Sequence, residues 1–261
     1  MSAFIVSGGS LLEVGCPSRL DRSTEQQVSR TTTLGGKVKV HIRRGGRRSW
    51  SIDVGVASPR EVSTIEAVAR FMGEVGWYGP DAAIGNLLSP QASGFDITPD
   101  NALDSGLVQL PDGTVARSVA HTGTGGVSPG DAHGGYERVP VRPGEPVTVG
   151  AWGMSGIRLS GFWHDSAGNR LTNFVFPGQS FQDWQWREST LTPPAGAAFV
   201  NLTLNNGVQY AVPSISWGTT AKRELGTGCP KAIIHSPSHS PLAMTSRANY
   251  TDSSYSVTEV G

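Results

Sequence analysis

The sequence predicts a mainly β protein: a small β-sandwich or barrel domain with one helix, interrupted by an inserted antiparallel β-sandwich. Three observations lead there. Glycine and proline supply 34 and 17 of the 261 residues, a density of helix breakers that suits turns between short strands. Apolar residues alternate with polar ones at a period of two in several segments, as half-buried strands require. Strand-like runs also stand at both ends of the chain, with a long turn-rich stretch between them.

The first alternation is Lys37 to Arg43, where Val38, Val40 and Ile42 interleave with Lys37, Lys39, His41 and Arg43. A second places Trp50, Ile52, Val54 and Val56 on one face. Gly45 and Gly46 between them supply the positive φ of a tight reversal, so the two runs read as a β-hairpin. One helix follows. Ser58 is its cap, Pro59 its first residue, and Glu61 closes a capping box. Val62, Ile65, Ala69 and Met72 recur at helical spacing, Val68 and Phe71 widen the stripe, and Gly73 or Gly76 ends it.

Composition changes between Trp77 and Pro90. The stretch from Leu110 to Gly135, rich in Gly, Thr and Ser, reads as loop. From Asn86 to about Gly218 short β-like runs alternate with turns, the strands reading as 139–149 in two pieces, 157–163, 170–176, 181–188, 198–204 and 208–217. Asp165 to Asn169, Pro193 to Gly196 and Asn205 to Gly207 separate them. That rhythm predicts an antiparallel sandwich of about 130 residues. After a hinge-like 219–228, strand character resumes at 231–234 and 254–260. Those last strands need a sheet to join, since an isolated hairpin is marginal. The expectation is therefore one domain of residues 1–86 plus 222–261, with 87–221 inserted.

Twenty-one basic residues balance 21 acidic ones, which argues against direct nucleic-acid recognition, normally marked by a basic excess. No run approaches the roughly 18 apolar residues of a membrane span, so membrane insertion is not expected. The first residues lack the positive region and long apolar core of a secretion signal. Cys16 and Cys229 are too few for a disulfide scaffold or zinc cluster, and a reducing compartment is expected.

Motifs for chemistry are scarce. Gly153 to Gly156 lacks the trailing half of a nucleophile elbow, because Ile157 stands where glycine is needed. His235 and His239 are four apart, but Pro237 between them forbids a metalloprotease helix. Gly123 to Gly126 lacks the strand and helix that a phosphate loop needs. Carboxylates are scattered, with no pair set for glycoside hydrolysis. The expectation is no catalytic residue, no metal and no cofactor. Two binding features stand out. Lys37, Lys39, Arg43, Arg44, Arg47 and Arg48 put six cations into twelve residues free of acid, either a solvated face or a docking surface for a subunit or acidic partner. Trp163 and Trp184 are candidates for stacking on sugar rings, against the alternative that they fill the space between sheets; Trp186 is assigned to that core.

Several segments resemble minor tail proteins of long-tailed actinobacterial phages. They are Thr33 to Val38, Arg48 to Asp53, Ala57 to Val62, Asn86 to Pro90, Gly228 to Ala232 and Tyr255 to Gly261. The order of elements is similar to distal tail proteins, and the 17 to 4 excess of Arg over Lys fits a GC-rich genome. The resemblance implies a virion protein of the tail tip, assembled in the host cytoplasm. It implies a ring, often a hexamer, that joins tail tube to hub and tip proteins, with the tape measure protein as a further partner. Phe181 to Glu188, Leu191 to Leu202 and Pro213 to Trp217 resemble carbohydrate-binding-module jelly rolls. That likeness implies an outward domain with host cell-wall glycan as its partner.

Overall fold

The computed structural model describes residues 2–25, 28–32, 37–42, 47–123, 125–130, 135–142, 144–244 and 249–260. In chain order the strands begin with β1 (Ala3–Ser7), β2 (Ser10–Val14), β3 (Arg19–Glu25), β4 (Val28–Thr32), β5 (Val38–Ile42) and β6 (Arg47–Ala57). Helix α1 (Pro59–Ala67), β7 (Glu74–Tyr78) and two short helices, α2 (Pro80–Ile84) and α3 (Pro90–Ser93), follow. Next come β8 (Ala102–Gln109), β9 (Val115–His121), β10 (Val139–Pro140), β11 (Val147–Met154), β12 (Arg158–His164) and β13 (Arg170–Val175). The last are β14 (Gln185–Leu191), β15 (Phe199–Val200), β16 (Thr203–Asn205), β17 (Gln209–Trp217), β18 (Cys229–Met244) and β19 (Asn249–Glu259). The protein is mainly β, and it divides into two compact units, residues 1–14 with 76–230, and residues 15–75 with 231–261.

In the second of these, β19 pairs with β18 on one side and β6 on the other, and β6 pairs with β3. Trp50, Ile52 and Val54 of β6 are buried, as are Tyr255 and Val257, their cross-strand neighbours on β19. Val56 leaves the expected stripe and is 63% exposed. A register shift between Thr251 and Ser253 lets one extra residue into β6, so burial passes from Val54 to Ala57.

The expected hairpin of 37–43 with 50–56 is replaced by other pairings. β5 pairs with β4, Val28 opposite Ile42 and Thr32 opposite Val38, while β6 pairs with β3, Glu25 opposite Arg47. Residues 43–46, read as that hairpin's turn, lie outside the described residues. The partner β3 (Arg-Leu-Asp-Arg-Ser-Thr-Glu) was missed because it is polar on both faces, as suits a sheet edge.

Helix α1 starts as its sequence requires. Ser58 Oγ accepts from the Glu61 amide at 3.3 Å and Glu61 Oε2 accepts from the Ser58 amide at 2.6 Å. Ile65 and Val68 are buried. Residues Val68–Met72 then form a π-helical turn that Gly73 ends at φ +60°. The wider turn breaks the 3.6-residue stripe, and Phe71 ends 82% exposed.

The larger unit is a β-sandwich. One sheet has the order β14-β11-β17-β9-β8, the other β10-β15-β12-β13, with β16 also on β12. Val147, Val149, Ala151, Tyr210 and Ile215 of the first join Leu159, Trp163, Phe174, Val200 and Leu204 of the second in one core. Within 110–135, expected as loop, β9 is a strand between β8 and β17. Its apolar residues alternate only weakly, so its ladder partners on both sides, rather than propensity, hold it.

This unit reaches beyond the expected limits of 87 and 221. β1 pairs with β7, Phe4 opposite Tyr78, and the Phe4 ring stands edge-on to Trp217 with centroids 5.1 Å apart. Asn86, fully buried, donates from Nδ2 to the carbonyls of Pro213 and Glu224, both at 3.0 Å. Its Oδ1 accepts from the amides of Leu88 at 3.2 Å and Ile215 at 3.1 Å. One side chain thus ties three distant segments, and residues 222–230, read as part of the other domain, belong here.

Candidate functional site

The basic run is dispersed. Arg48 is 5% exposed, and its guanidinium is ion-paired with Glu259 and lies over the Trp50 ring at 5.1 Å. A charge neutralised and enclosed in this way is no docking surface, which corrects its assignment. Lys37 and Arg47 are exposed, Lys39 stands opposite Thr31 on β5, and Arg43 and Arg44 lie outside the described residues.

Trp163, a sugar-stacking candidate, is 3% exposed and packs against Phe174 at 5.9 Å in the sandwich core. Its ring has no open face, so the assignment moves to core packing. Trp186 moves the other way. β11 sends Val147, Val149 and Ala151 inward, so the two-residue period carries Thr148, Gly150 and Trp152 to the opposite, outer face. Trp186 stands across from Trp152, and Ala211 flanks it on the other side. The two indoles meet edge to face, centroids 5.8 Å apart and planes at 65°. Gly150 leaves the room: a Cβ there would lie 2.7 Å from Trp186 Cζ2.

Around this pair gather buried Leu110, Ala116, Ala211 and Val212, with Val108 and Trp184 half-buried, as Trp186 itself is. Trp186 Nε1 donates to Glu188 Oε2 at 2.8 Å. Trp152 Nε1 is buried without a hydrogen-bond partner. The Arg223 guanidinium lies 5.4 Å from the Trp186 centroid and 5.7 Å from that of Trp152, within cation–π range. The arrangement offers half-open indole surface, one cation and one carboxylate side by side. Sequence reading found Trp184 but missed Trp152 and Arg223. Alternation along β11 carried the signal for Trp152; nothing local signals that residue 223 folds back over β11 and β14.

A separate cleft of about 170 Å³ lies between 97–101 and residues 126, 128, 130, 135 and 136. Tyr136 lines it and stacks on buried His164 with centroids 5.7 Å apart. His235 and His239, the histidine pair of the sequence, lie on β18 with a bulge between them, and each engages a β19 hydroxyl, Thr258 and Ser253, at 2.9 Å.

No family model and no curated protein sequence matches the chain. Among solved structures, the chain is similar to the enzymatically active domain of tailspike protein 4 of bacteriophage CBA120. There the TM-score is 0.26 and the identity 8%, over 76% of this chain and 19% of that one. It is also similar to a carbohydrate-binding module of Cellvibrio mixtus lichenase 5A, in complex with cellotriose. That likeness has a TM-score of 0.27 and 17% identity, over 48% of this chain and 95% of the module. The chain thus spans about a fifth of the tailspike. Neither similarity is close enough to carry a function across.

Proposed function

We propose that this chain is a non-enzymatic structural protein of a phage tail tip. Residues 15–75 and 231–261 join neighbouring copies into a ring, hexameric as in the distal tail proteins its segments resemble, between the tail tube and the hub and tip proteins. The sandwich faces outward and meets host-envelope glycan through its tryptophan face.

The observation that carries the ring is the β4–β5 ribbon. Its strands pair with each other and, among the described residues, with no other strand. A two-stranded ribbon is marginal alone in water, and Val38 on it is 59% exposed. Such a ribbon is stabilised when a neighbouring subunit's sheet edge or surface covers it. A head-to-tail contact of that kind closes into a ring when its rotation allows. Light scattering on the purified chain and mass spectrometry of virions test this reading. The expected result is a closed oligomer that Val38→Asp dissociates, and a virion component. A chain that stays monomeric at every concentration and is absent from particles ends it.

The tryptophan face favours a second emphasis, in which glycan adhesion is the main task of the chain. It predicts retention on host cell walls that Trp184→Ala abolishes, whether or not a ring forms.

A further inference from the structure

We propose that the outer tryptophan face of the sandwich selects a saccharide bearing an anionic substituent, a carboxylate or a phosphate, and that Arg223 is the selecting group. This rests on the reading of that face as a glycan platform and adds the ligand's charge to it.

Arg223 is exposed, and among the described residues no carboxylate lies within ion-pair distance of it. Its two chain neighbours are pinned. The Lys222 amide donates to Ser216 Oγ at 3.2 Å, and the Glu224 carbonyl accepts from Asn86 at 3.0 Å. Ala221, just before, is buried. The guanidinium itself rests on two indoles. A free arginine side chain carries about 2 kcal/mol of rotamer entropy. Stacking and pinning have removed much of that freedom before any ligand arrives, which is the condition for tight capture.

The nearby acids do not pair with it. Glu188 accepts from Trp186 Nε1, and the Glu224 carboxylate turns to Gly85, where a Cβ would lie 3.1 Å from its Oε1. A fixed cation without a counter-ion gains most from a full negative charge, above all from two oxygens that match its fork. The half-buried Trp186 ring against it, with half-buried Trp184 on the same outer cluster, suits the apolar face of a sugar, and Glu188 offers a hydroxyl acceptor. Glu188 also sets orientation, because the anionic substituent is repelled from it and directed to Arg223.

The test is calorimetric titration of the full chain with a neutral cello-oligosaccharide, an oligogalacturonate, a phosphorylated oligosaccharide and polyglutamate. Acidic saccharides are expected to bind about tenfold or more tightly than the neutral one, the scale of a hydrogen bond to a charged group, and to weaken as salt screens the contact. Comparison of the galacturonate and phosphate arms tells which anion is preferred. Arg223→Gln keeps a planar group on the indoles; it is expected to erase the preference, so that acidic and neutral saccharides bind the variant equally. Equal binding of neutral and acidic sugars, or a preference that survives Arg223→Gln, overturns the charge selection and leaves the platform standing. Polyglutamate bound as tightly as the acidic sugars overturns it in favour of an acidic peptide. No saccharide binding of any charge overturns the platform reading and this inference together.

Discussion

The Arg48 guanidinium grips the Glu259 carboxylate with two prongs, Nε to Oε2 at 2.9 Å and Nη2 to Oε1 at 2.7 Å, across 211 residues of sequence. The Arg48 amide adds a third bond to Oε2 at 3.1 Å. Both side chains are shielded, 6% and 10% exposed. The early strand β6 and the last strand β19, already paired from Ala57 to Ser49, are thereby locked at their far end.

Removing one partner leaves a buried charge unmatched, which costs about 3–5 kcal/mol, whereas replacing both with apolar groups is often nearly neutral. Glu259→Gln is therefore expected to lower stability by about 3 kcal/mol. The double change Arg48→Met with Glu259→Leu should return most of it. Urea denaturation of the parent, Glu259→Gln and the double variant measures this. A Glu259→Gln protein within about 1 kcal/mol of the parent, the range of exposed pairs, means the contact is solvated.

Gly226 and Gly228 make a second prediction. A Cβ on Gly226 would sit 1.8 Å from the Leu88 carbonyl oxygen, and one on Gly228 would sit 1.9 Å from that of Leu87. These glycines let 226–228 lie against 86–88, where Thr227 and Gly228 donate to Asn86 and Leu88 at 3.0 and 3.1 Å. Backbone cannot move aside as a side-chain tip can, so either alanine variant is expected to lose about 2–3 kcal/mol, the upper range of overpacking. Gly196→Ala, at φ +80° with open space around it, isolates the backbone-strain cost of roughly 1–2 kcal/mol. Thermal denaturation should rank the first two well below the third; equal melting temperatures would refute the close-approach argument.

What the sequence made legible follows from where information is local. The capping box at Ser58 and Glu61, the turn at Asp165–Asn169 and the sandwich strands from Val147 to Trp217 are written in neighbouring residues. The structure has the capping box, the turn and strands at 158–164, 170–175 and 209–217 close to where the spacing puts them, whereas β11 runs on to Met154, β14 starts only at Gln185 and 198–204 divides into β15 and β16. Pairing is not local. The alternation at Lys37–Arg43 and Trp50–Val56 marked two strands, but nothing in either names its partner, and polar β3 gave no period to compete with the apparent hairpin. Trp163 and Trp184 show the same limit at the candidate site. Trp163 sits on β12 and Trp184 just before β14, and only knowing which sheet face meets the other sheet tells core from surface.

Alkaline pH provides a third prediction. Burial pushes the Tyr210 hydroxyl from its ordinary 10.0 up to about 12, against a small opposing contribution from the Gly207 amide that donates to it at 2.7 Å. Tyr255 moves the same way, first through burial and then through the Glu61 charge. A raised phenol favours the protonated form in the folded state. Its contribution is thus complete below about pH 10, the unfolded value, and is lost as pH rises from there through about 12. Urea midpoints should be flat up to pH 10 and then fall, with a shallower fall in Tyr210→Phe. A midpoint that stays level to pH 11.5 (roughly three-quarters of the way through that window) contradicts the burial account.

Trp163 and Trp184 separate stability from binding. Trp163 is enclosed by Phe174 and the core between the sheets, so Trp163→Ala is expected to cost about 3–5 kcal/mol, as large aromatic deletions in cores do. Trp184 packs only by one part against the outer cluster, and Trp184→Ala should cost about 1 kcal/mol or less, as surface changes do. Retention on cell-wall glycan, measured under conditions where both variants remain folded, should follow the opposite order. Trp163→Ala keeps the outer face and should bind like the parent, while Trp184→Ala loses a stacking surface and should be washed off. If Trp184→Ala unfolds the sandwich as readily as Trp163→Ala, the outer indoles are a second core. If both variants bind like the parent, the glycan contact lies elsewhere, and the cleft beside Tyr136 becomes the place to mutate next.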